Sequence, residues 1–449
     1  MKLWDKGTSV AQAVEQFTVG KDRELDAWLA PYDILGTLAH IRMLNRIELL
    51  EDDELLSLQQ ELRRLYQLAI EGELKIEAGV EDIHSQVELM LTQKLGDIGK
   101  KVHSGRSRND QVLVDLKLYF LAEIKALVEG SQALFDRLQQ LSELHKGVLL
   151  PGYTHYQVAM PSSFGLWFGA YAESLIDDLQ MLLAAYRVVN QNPLGSAAGY
   201  GSSFPLNRSM TTQLLGFETL SYNVVYAQMG RGKTEKLLSF GLSSLASSLN
   251  KLAADVCLFM SQNFAFIRFP DELTTGSSIM PHKKNPDVFE ILRAKTNKLQ
   301  TLPTEISAII SNLPSGYHRD LQLTKASLLP AIEEMKACLE MTNFMLEHIE
   351  INQDILDAPI YDYLFSVEEV NRLVLAGVPF RDAYKQVGQA IEAGNFTPQK
   401  SVNHSHEGSI GHLCTEEIKR KMDQVVRAFD FGKWEQAWKG LVREGKGLS

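Results

Sequence analysis

Apolar residues recur at steps of three and four over long stretches of this chain, which is the pattern of amphipathic helices. In the first such stretch the apolar positions run from Leu55 to Ala69, after an acidic run at 51–54 that suits a helix N-terminus. A second stretch, 111–148, contains no proline and repeats the pattern from Ile124 to Leu144. Because proline breaks helices, we predict a single helix of about 35–40 residues there, roughly 55 Å long.

Three further segments have helical patterns, and Gly/Ser-rich segments lie between them. The additional helices are expected at 161–190, 233–262 and 286–312. Pro161 would occupy the first turn of the first of these, where proline is tolerated. Strand alternation is scarce, and residues 224–226 are its best case. We therefore expect a mainly α-helical protein whose long helices pack as a bundle, with chemistry carried by loops such as 195–203 and 274–278.

Composition and charge exclude several classes of protein. The chain has 449 residues, of which 45% are hydrophobic and 22% charged, as in globular proteins. With 45 Lys and Arg against 56 Asp and Glu, the formal net charge is −11, and no basic tract favours nucleic-acid binding. No apolar run reaches the ~18 residues of a membrane span, and the N-terminus lacks the apolar core of a signal peptide. We therefore expect a cytoplasmic protein that binds neither nucleic acid nor membrane.

Three polar segments combine residue types that could carry chemistry. Residues 276–287, with the sequence GSSIMPHKKNPD, offer free amide groups and positive charge to an anion, although a solvated basic turn explains the same composition. His155, within 151–157, is a candidate general acid or base, or a hydrogen-bonded structural histidine. Residues 103–111 place two arginines before the long helix, where they would hold a carboxylate or surround an ordinary helix cap.

Two other motifs indicate metal or nucleotide chemistry only weakly. Residues 227–234, AQMGRGKT, match a loose P-loop pattern after the candidate strand at 224–226, but a P-loop requires alternating strands and helices that the rest of the chain lacks. His404 and His406 lie in a polar segment that favours a solvated loop over a metal site. The cysteines at 257, 338 and 414 lack the spacing of a disulfide framework or a zinc site. We therefore expect no metal and no cofactor.

Taken in order along the chain, the polar segments resemble motifs of the fumarase/aspartase superfamily. Residues 276–287 are similar to its signature loop, with a double lysine where fumarase and aspartase have Lys-Val-Asn. HSGRSRNDQV at 103–112 resembles a motif of the branch that cleaves argininosuccinate. EDIH at 81–84, PGYTH at 151–155 and the segment 317–325 fit the same order.

The resemblance implies a mainly α, three-domain fold with a long central helical bundle. The domains are expected at 1–109, 110–352 and 353–449, with five long helices in the second. Four subunits would assemble these helices into the twenty-helix core of a homotetramer. Each active site would combine segments of three subunits, which would explain why the candidate residues are scattered along the chain.

The resemblance also implies a reaction, the trans β-elimination of argininosuccinate to L-arginine and fumarate through an aci-carboxylate intermediate. Ser277 matches the base, and Lys283 with the loop amides would stabilise its alkoxide. His155 matches the other catalytic residue and Glu290 its carboxylate partner, a pair suited to giving a proton to the leaving guanidino nitrogen. The residues that match substrate contacts are Ser107, Arg108, Asn109, Thr154, Asn285, Tyr317, Gln322 and Lys325.

The chain departs from the superfamily pattern at four places, and two of these are His282 in place of a common glutamine and Thr324 where aspartate is frequent. Gly20 replaces a serine that often contacts the substrate, and Gly230-Arg231-Gly232 replaces Asp-Arg-Asp. Two alternatives to the hypothesis of argininosuccinate cleavage therefore stay open. One is another fumarate-releasing lyase, acting on adenylosuccinate or aspartate. The other is a non-catalytic structural relative of the crystallin type.

Overall fold

Residues 12–443, the part of the chain that the computed structural model describes, form a mainly α-helical protein. The first eleven residues, on which the signal-peptide expectation rests, and the last six lie outside the described residues. The α-helices are α1 Gln12–Val19, α2 Asp22–Arg46, α3 Asp52–Ile70, α4 Ile83–Leu95, α5 Asp97–Lys100, α6 Arg108–Leu144, α7 Phe164–Val189, α8 Arg208–Leu215, α9 Val224–Met229, α10 Lys233–Phe259, α11 Asp287–Leu299, α12 Leu302–Ile309, α13 Leu323–Glu347, α14 Ser366–Leu375, α15 Phe380–Glu392, α16 Thr415–Arg427 and α17 Gly432–Val442.

Short strands join some of the helices. They are β1 Leu149–Thr154, β2 Gln157–Ser163, β3 Gln191–Asn192, β4 Thr219–Leu220, β5 Ile267–Arg268, β6 Thr275–Gly276, β7 Lys284–Asn285 and β8 Glu350–Ile351. Within the described residues they form four two-stranded sheets, of which β3–β4 is parallel and β1–β2, β5–β8 and β6–β7 are antiparallel. Two of these pairs, β1–β2 and β6–β7, carry candidate catalytic segments.

The centre of the molecule is a bundle of long helices, as the hydrophobic pattern predicted. α6 has 37 residues, within the predicted range, and packs along α7 and α13. α10 packs against α7, α11, α12 and α13. The apolar stripe of α6 is buried, with Leu127, Leu134 and Leu138 at most 1% exposed. This bundle confirms the predicted fold class and gives the site residues rigid supports.

Two of the predicted helices begin with a capping box, although α6 begins at Arg108, three residues before the predicted start at 111. The side chain of Glu54 accepts a hydrogen bond from the Glu51 backbone N–H at 3.1 Å, at the start of α3. At the start of α6, the Ser107 backbone N–H donates to Asp110 Oδ1 at 2.8 Å. Such boxes satisfy backbone donors that a helix N-terminus leaves unpaired.

Three details of the predicted elements are wrong. Pro161 is not in a helix but in β2, opposite Pro151, so α7 begins at Phe164. The segment 286–312 is two helices, α11 and α12, separated at residues 300–301. Residues 224–226 belong to helix α9, because Asn223 Oδ1 accepts from the backbone N–H groups of the first turn at 2.9 and 3.0 Å. A helix in place of a strand before 230–232 also removes the structural context that a P-loop requires.

One large apolar core joins the N-terminal helices, the bundle and the C-terminal helices α16 and α17. α16 packs on α7 and α6, and α17 packs on α8 and α2. A second, small cluster of Val370, Ala383 and Val387 lies between α14 and α15. The domain boundaries at 109/110 and 352/353 stay predictions. No helix within 12–443 combines the length and the apolar character needed to cross a membrane.

Candidate active site

A cavity of about 390 Å³ brings together six of the eight predicted substrate-binding residues. They are Ser107, Arg108, Asn109, Tyr317, Gln322 and Lys325. The first three lie at the N-terminus of α6, the others at the approach to α13 or in its first turn, and α2 forms another wall. A helix N-terminus carries a partial positive charge, so the start of α6 favours an anionic group of the ligand.

Lys325 is buried between two carboxylates of α2. Its Nζ lies 2.7 Å from Asp22 Oδ1 and is also paired with Asp26. Burial alone would lower the pKa of Lys325, but the charges of Asp26 and Asp22 raise it above the usual value. Gln322 Nε2 donates to Asp22 Oδ2 at 2.6 Å, which fixes the amide beside the lysine. These contacts therefore keep Lys325 protonated and in a defined position.

Arg108 is paired with two acidic residues that precede α4. Its Nη1 lies 3.0 Å from Glu81 Oε2, and its Nη2 is paired with Asp82. Arg319 shares Glu81, with Nη2 3.3 Å from Oε1. The side chains of Arg108 and Arg319 are 28% and 49% exposed, so an incoming carboxylate can reach both guanidinium groups. This arrangement suits the predicted role of Arg108 in carboxylate binding.

His84 lines the cavity and is the centre of a buried cluster of charges. His84 Nδ1 is 2.7 Å from Asp33 Oδ1 and 3.5 Å from Asp115 Oδ2. Burial opposes a charge on the imidazole, but the hydrogen bond to Asp33 and the charges of Asp33, Asp115 and Asp82 raise the pKa of His84 to about 9. Among residues 12–443 this trio is the one group whose donor atoms are arranged to hold a metal ion, lying within 4.8 Å of one another. The imidazolium already supplies the positive charge that the carboxylates need.

The structure gives a physical reason for the glycine at 232. Gly232 has φ +78°, and a Cβ there would lie 2.7 Å from Ile310 Cγ2, so the backbone and its neighbours both favour glycine. Between the two glycines, Arg231 reaches the cavity wall, and its Nε lies 2.8 Å from Glu235 Oε1. Glu235 thus supplies a carboxylate beside Arg231 although the flanking aspartates are missing. Gly20, with φ +52°, has open space where its Cβ would be.

Thr154 and His155 lie on an exposed β-hairpin and do not line the cavity. His155 and Tyr156 form its two-residue turn between the paired Thr154 and Gln157, and both have left-handed backbones, with φ of 54° and 58°. Non-glycine residues rarely adopt this conformation, which is typical of type I′ hairpin turns and occurs at functional sites. Close to the turn, the ring of Tyr153 packs edge-on against Phe264 with ring centroids 5.5 Å apart.

Ser277, Lys283 and Asn285 lie in a second exposed segment. Pairing of β6 with β7 closes the loop 277–283. Ser277 Oγ accepts hydrogen bonds from the backbone N–H groups of Ile279 and Met280, at 3.3 and 3.1 Å. These donors would stabilise negative charge on the serine oxygen. Lys283 is exposed, and the Asn285 amide donates to Thr275 Oγ1 at 3.4 Å.

Glu290 is exposed on α11, and within residues 12–443 it makes no hydrogen bond or ion pair with His155. The predicted His155–Glu290 pair is therefore not formed inside one described chain. The twelve predicted residues thus fall into three groups: six in the cavity, Thr154 and His155 on the hairpin, and the remaining four on the 277–290 segment.

The sequence reasoning missed several acidic and basic residues of the cavity. They are Asp22, Asp26, Glu81, Asp82, His84 and Arg319. Two patterns in the sequence point to these residues. Asp22 and Asp26 are one helical turn apart and so share a face of α2. The EDIH motif at 81–84 contains three of the others, although none of them was assigned a role.

Sequence comparisons with known proteins identify one family, and a structural comparison shows its fold. Residues 9–300 match a family model described as "Lyase". An argininosuccinate lyase of Parabacteroides distasonis is 63% identical over 441 residues, covering 98% of this chain and 99% of the relative, and one of Bacteroides thetaiotaomicron is 61% identical with the same coverage. The structure of an EDDS lyase variant with bound fumarate has a TM-score of 0.71 at 20% identity, over 97% of this chain and 94% of that one, which shows a common fold. The chain therefore belongs to the argininosuccinate lyase family of the fumarase/aspartase superfamily.

Proposed function

We propose that this chain cleaves argininosuccinate to L-arginine and fumarate by trans β-elimination. The observation that carries the proposal is the cavity that gathers Ser107, Arg108, Asn109, Tyr317, Gln322 and Lys325. Argininosuccinate carries several carboxylates together with a guanidinium and an ammonium group, so its binding site needs charges of both signs. The cavity lining offers Arg108, Arg319 and Lys325 beside Asp22, Asp26, Glu81 and Asp82.

Binding would proceed by exchange of ion-pair partners. Arg108 and Arg319 already face carboxylates of the chain, so a substrate carboxylate would replace part of an existing pairing and the guanidinium groups would lose little hydration. Lys325 is held more deeply between Asp22 and Asp26 and would donate to the substrate without moving. Tyr317 and Asn109 add a hydroxyl and an amide for the amino-acid end.

The chemical step would begin at Ser277. Its alkoxide would take the proton from the carbon next to the succinyl carboxylate, and the electrons of that C–H bond would pass onto the carboxylate as an aci-carboxylate. Lys283 and Asn285 would hold the extra negative charge. The electrons would then return to form the C=C bond of fumarate as the C–N bond breaks, with His155, oriented by Glu290, giving a proton to the guanidino nitrogen. The backbone donors on Ser277 Oγ support its role, because they favour the charged form of the oxygen.

The proposal includes a homotetramer whose neighbouring subunits complete each site. Two of the three groups of candidate residues lie on exposed segments of the single chain, with Thr154, His155, Lys283 and Glu290 exposed and Ser277 and Asn285 half-buried. Water would screen the charges that the reaction must stabilise there. The bundle helices also expose large apolar side chains, which a subunit interface would bury. They are Met181, Phe240, Leu258, Ile291, Met341 and Phe344. We place the enzyme in the cytoplasm, as the sequence led us to expect.

The test is release of fumarate from argininosuccinate by the purified protein, followed by ultraviolet absorbance. Fumarate should appear with the parent protein and with Ser278→Ala, which changes the exposed neighbouring serine. Ser277→Ala should lose at least about a thousandfold in turnover while still binding substrate. Release from adenylosuccinate or aspartate and not from argininosuccinate would assign the chain to another branch. Near-full activity of Ser277→Ala would refute the assigned base.

A further inference from the structure

A second cavity, of about 500 Å³, lies where α2, α3, α6, α13 and α17 meet, and it shares no lining residue with the candidate active site. Its wall is largely aromatic. The aromatic lining residues are Trp28, Tyr32, Tyr66, Tyr119 and Trp438. The rings of Tyr119 and Trp438 stand edge-on to Tyr32, with centroids 5.7 and 6.0 Å from it. We call this cavity the aromatic pocket.

The charged groups of the aromatic pocket are acidic. Glu123 and Glu333 line it, and none of its described lining residues is basic. Lys336, just outside the lining, lies 2.6 Å from a carboxylate oxygen of each glutamate. Two carboxylates therefore share one ammonium group, which leaves a net negative charge at the pocket wall.

The pocket also contains a buried polar group without a partner. Tyr119 is only 3% exposed, and its hydroxyl has no hydrogen-bond partner within residues 12–443. A buried hydroxyl is normally satisfied, so this one is available to a ligand or to water. The pocket therefore combines aromatic rings, excess negative charge and an unused hydrogen-bonding group.

These features together select for an organic cation. Aromatic faces attract cations, and a planar guanidinium suits them best because it is weakly hydrated and can stack while donating to carboxylates. An anion would be repelled by Glu123 and Glu333, and a neutral ligand could donate hydrogen bonds to them but would gain no charge attraction. We propose that the aromatic pocket is a second ligand-binding site, for a guanidinium compound of amino-acid size. L-arginine, a product of the proposed reaction, is such a compound. Only the choice of L-arginine as the ligand rests on the proposed function; the guanidinium specificity rests on the pocket.

The pocket is separate from the reaction, although it shares two helices with the active cavity. Tyr119 and Arg108 lie on α6, eleven residues apart, which corresponds to roughly 16 Å along the helix. α2 likewise carries Trp28 and Tyr32 in the pocket and Asp22 and Asp26 in the cavity. A binding experiment must therefore distinguish the two sites by mutation.

The experiment measures ligand binding by titration calorimetry and by the fluorescence of Trp28 and Trp438. It is done on an Arg108→Gln protein, in which the active cavity is impaired. The probes are L-arginine, methylguanidine and L-citrulline, which replaces the guanidinium of arginine by a neutral urea group. We expect arginine and methylguanidine to bind saturably with a change in tryptophan emission, and citrulline to bind at least about tenfold more weakly.

Two further variants test the pocket itself. Trp28→Leu and Glu333→Gln change partly exposed side chains, so the fold should persist, and each should weaken arginine binding about tenfold. Glu333→Gln in the otherwise unchanged protein should still release fumarate. Equal binding of arginine and citrulline, or affinities unchanged in both variants, would overturn the proposal. Because methylguanidine is neither substrate nor product, its binding tests the pocket even if the lyase reaction is not observed.

Discussion

At the scale of single residues, the hairpin turn at His155 and Tyr156 combines an unfavourable backbone with a candidate catalytic group. Replacing the pair by Asn-Gly, the preferred type I′ sequence, should raise the free energy of unfolding by about 1–2 kcal/mol. The same change removes the imidazole and should reduce fumarate release by at least about a hundredfold. Thermal unfolding and the fumarate assay measure both effects. Unchanged activity would show that His155 is not needed for turnover.

A second residue-scale prediction concerns the buried imidazolium of His84. Because the folded-state pKa is raised from 6.5 to about 9, the stabilisation should be complete below pH 6.5 and disappear as the pH rises through 9. Parent and His84→Gln proteins should therefore differ in free energy of unfolding by up to about 3 kcal/mol near pH 6, and by much less above pH 9. Denaturant unfolding across this pH range is the measurement. His406→Gln, on an exposed loop, is the control and should follow the parent; a His84→Gln difference independent of pH would contradict the prediction.

At the scale of elements, the joint between α9 and α10 depends on Gly232. Gly232→Ala should cost about 1–3 kcal/mol of unfolding free energy, because φ is +78° and the new methyl group would press on Ile310 and Leu321. Gly230 is the matched control: its φ is −65°, in the helical region, although a Cβ there would lie 3.0 Å from the Ala227 carbonyl oxygen. Gly230→Ala should therefore cost clearly less than Gly232→Ala. Chemical denaturation measures both variants. Equal stability of the two would mean that the joint relaxes without cost.

At the scale of the whole molecule, the three groups of candidate residues lead to a prediction about mixtures. If neighbouring subunits complete each site, the Ser277 and the Arg108 of one site come from different subunits. Ser277→Ala and Arg108→Gln then remove residues that two different subunits supply. Mixed tetramers formed by refolding the two inactive proteins together should contain some sites with neither defect and recover a measurable fraction of parental fumarate release. Each variant refolded alone is the control. If hybrid tetramers form and stay inactive, each site is built within one chain.

Much of the element structure could be predicted because its causes are local. The step of three and four from Leu55 to Ala69 and the proline-free run after residue 111 specify α3 and α6, since helical periodicity and capping act within a few residues. The wrongly predicted elements depend on interactions that the hydrophobic period does not report. Pro161 is in a strand because it pairs with a segment ten residues earlier, and α9 forms because Asn223 caps it.

The hydrophobic pattern was enough to predict the helical class and the long bundle helices, and the motifs supplied the residue types of a lyase that releases fumarate from a substituted succinate. Tertiary structure alone decided which of those residues meet. Asp22 and Lys325 are about three hundred positions apart and form an ion pair only because α2 lies beside the start of α13. It also left Ser277 and His155 on exposed segments away from that cavity. Ion pairing and burial depend on distance in space, which no local pattern of hydrophobic and polar residues encodes.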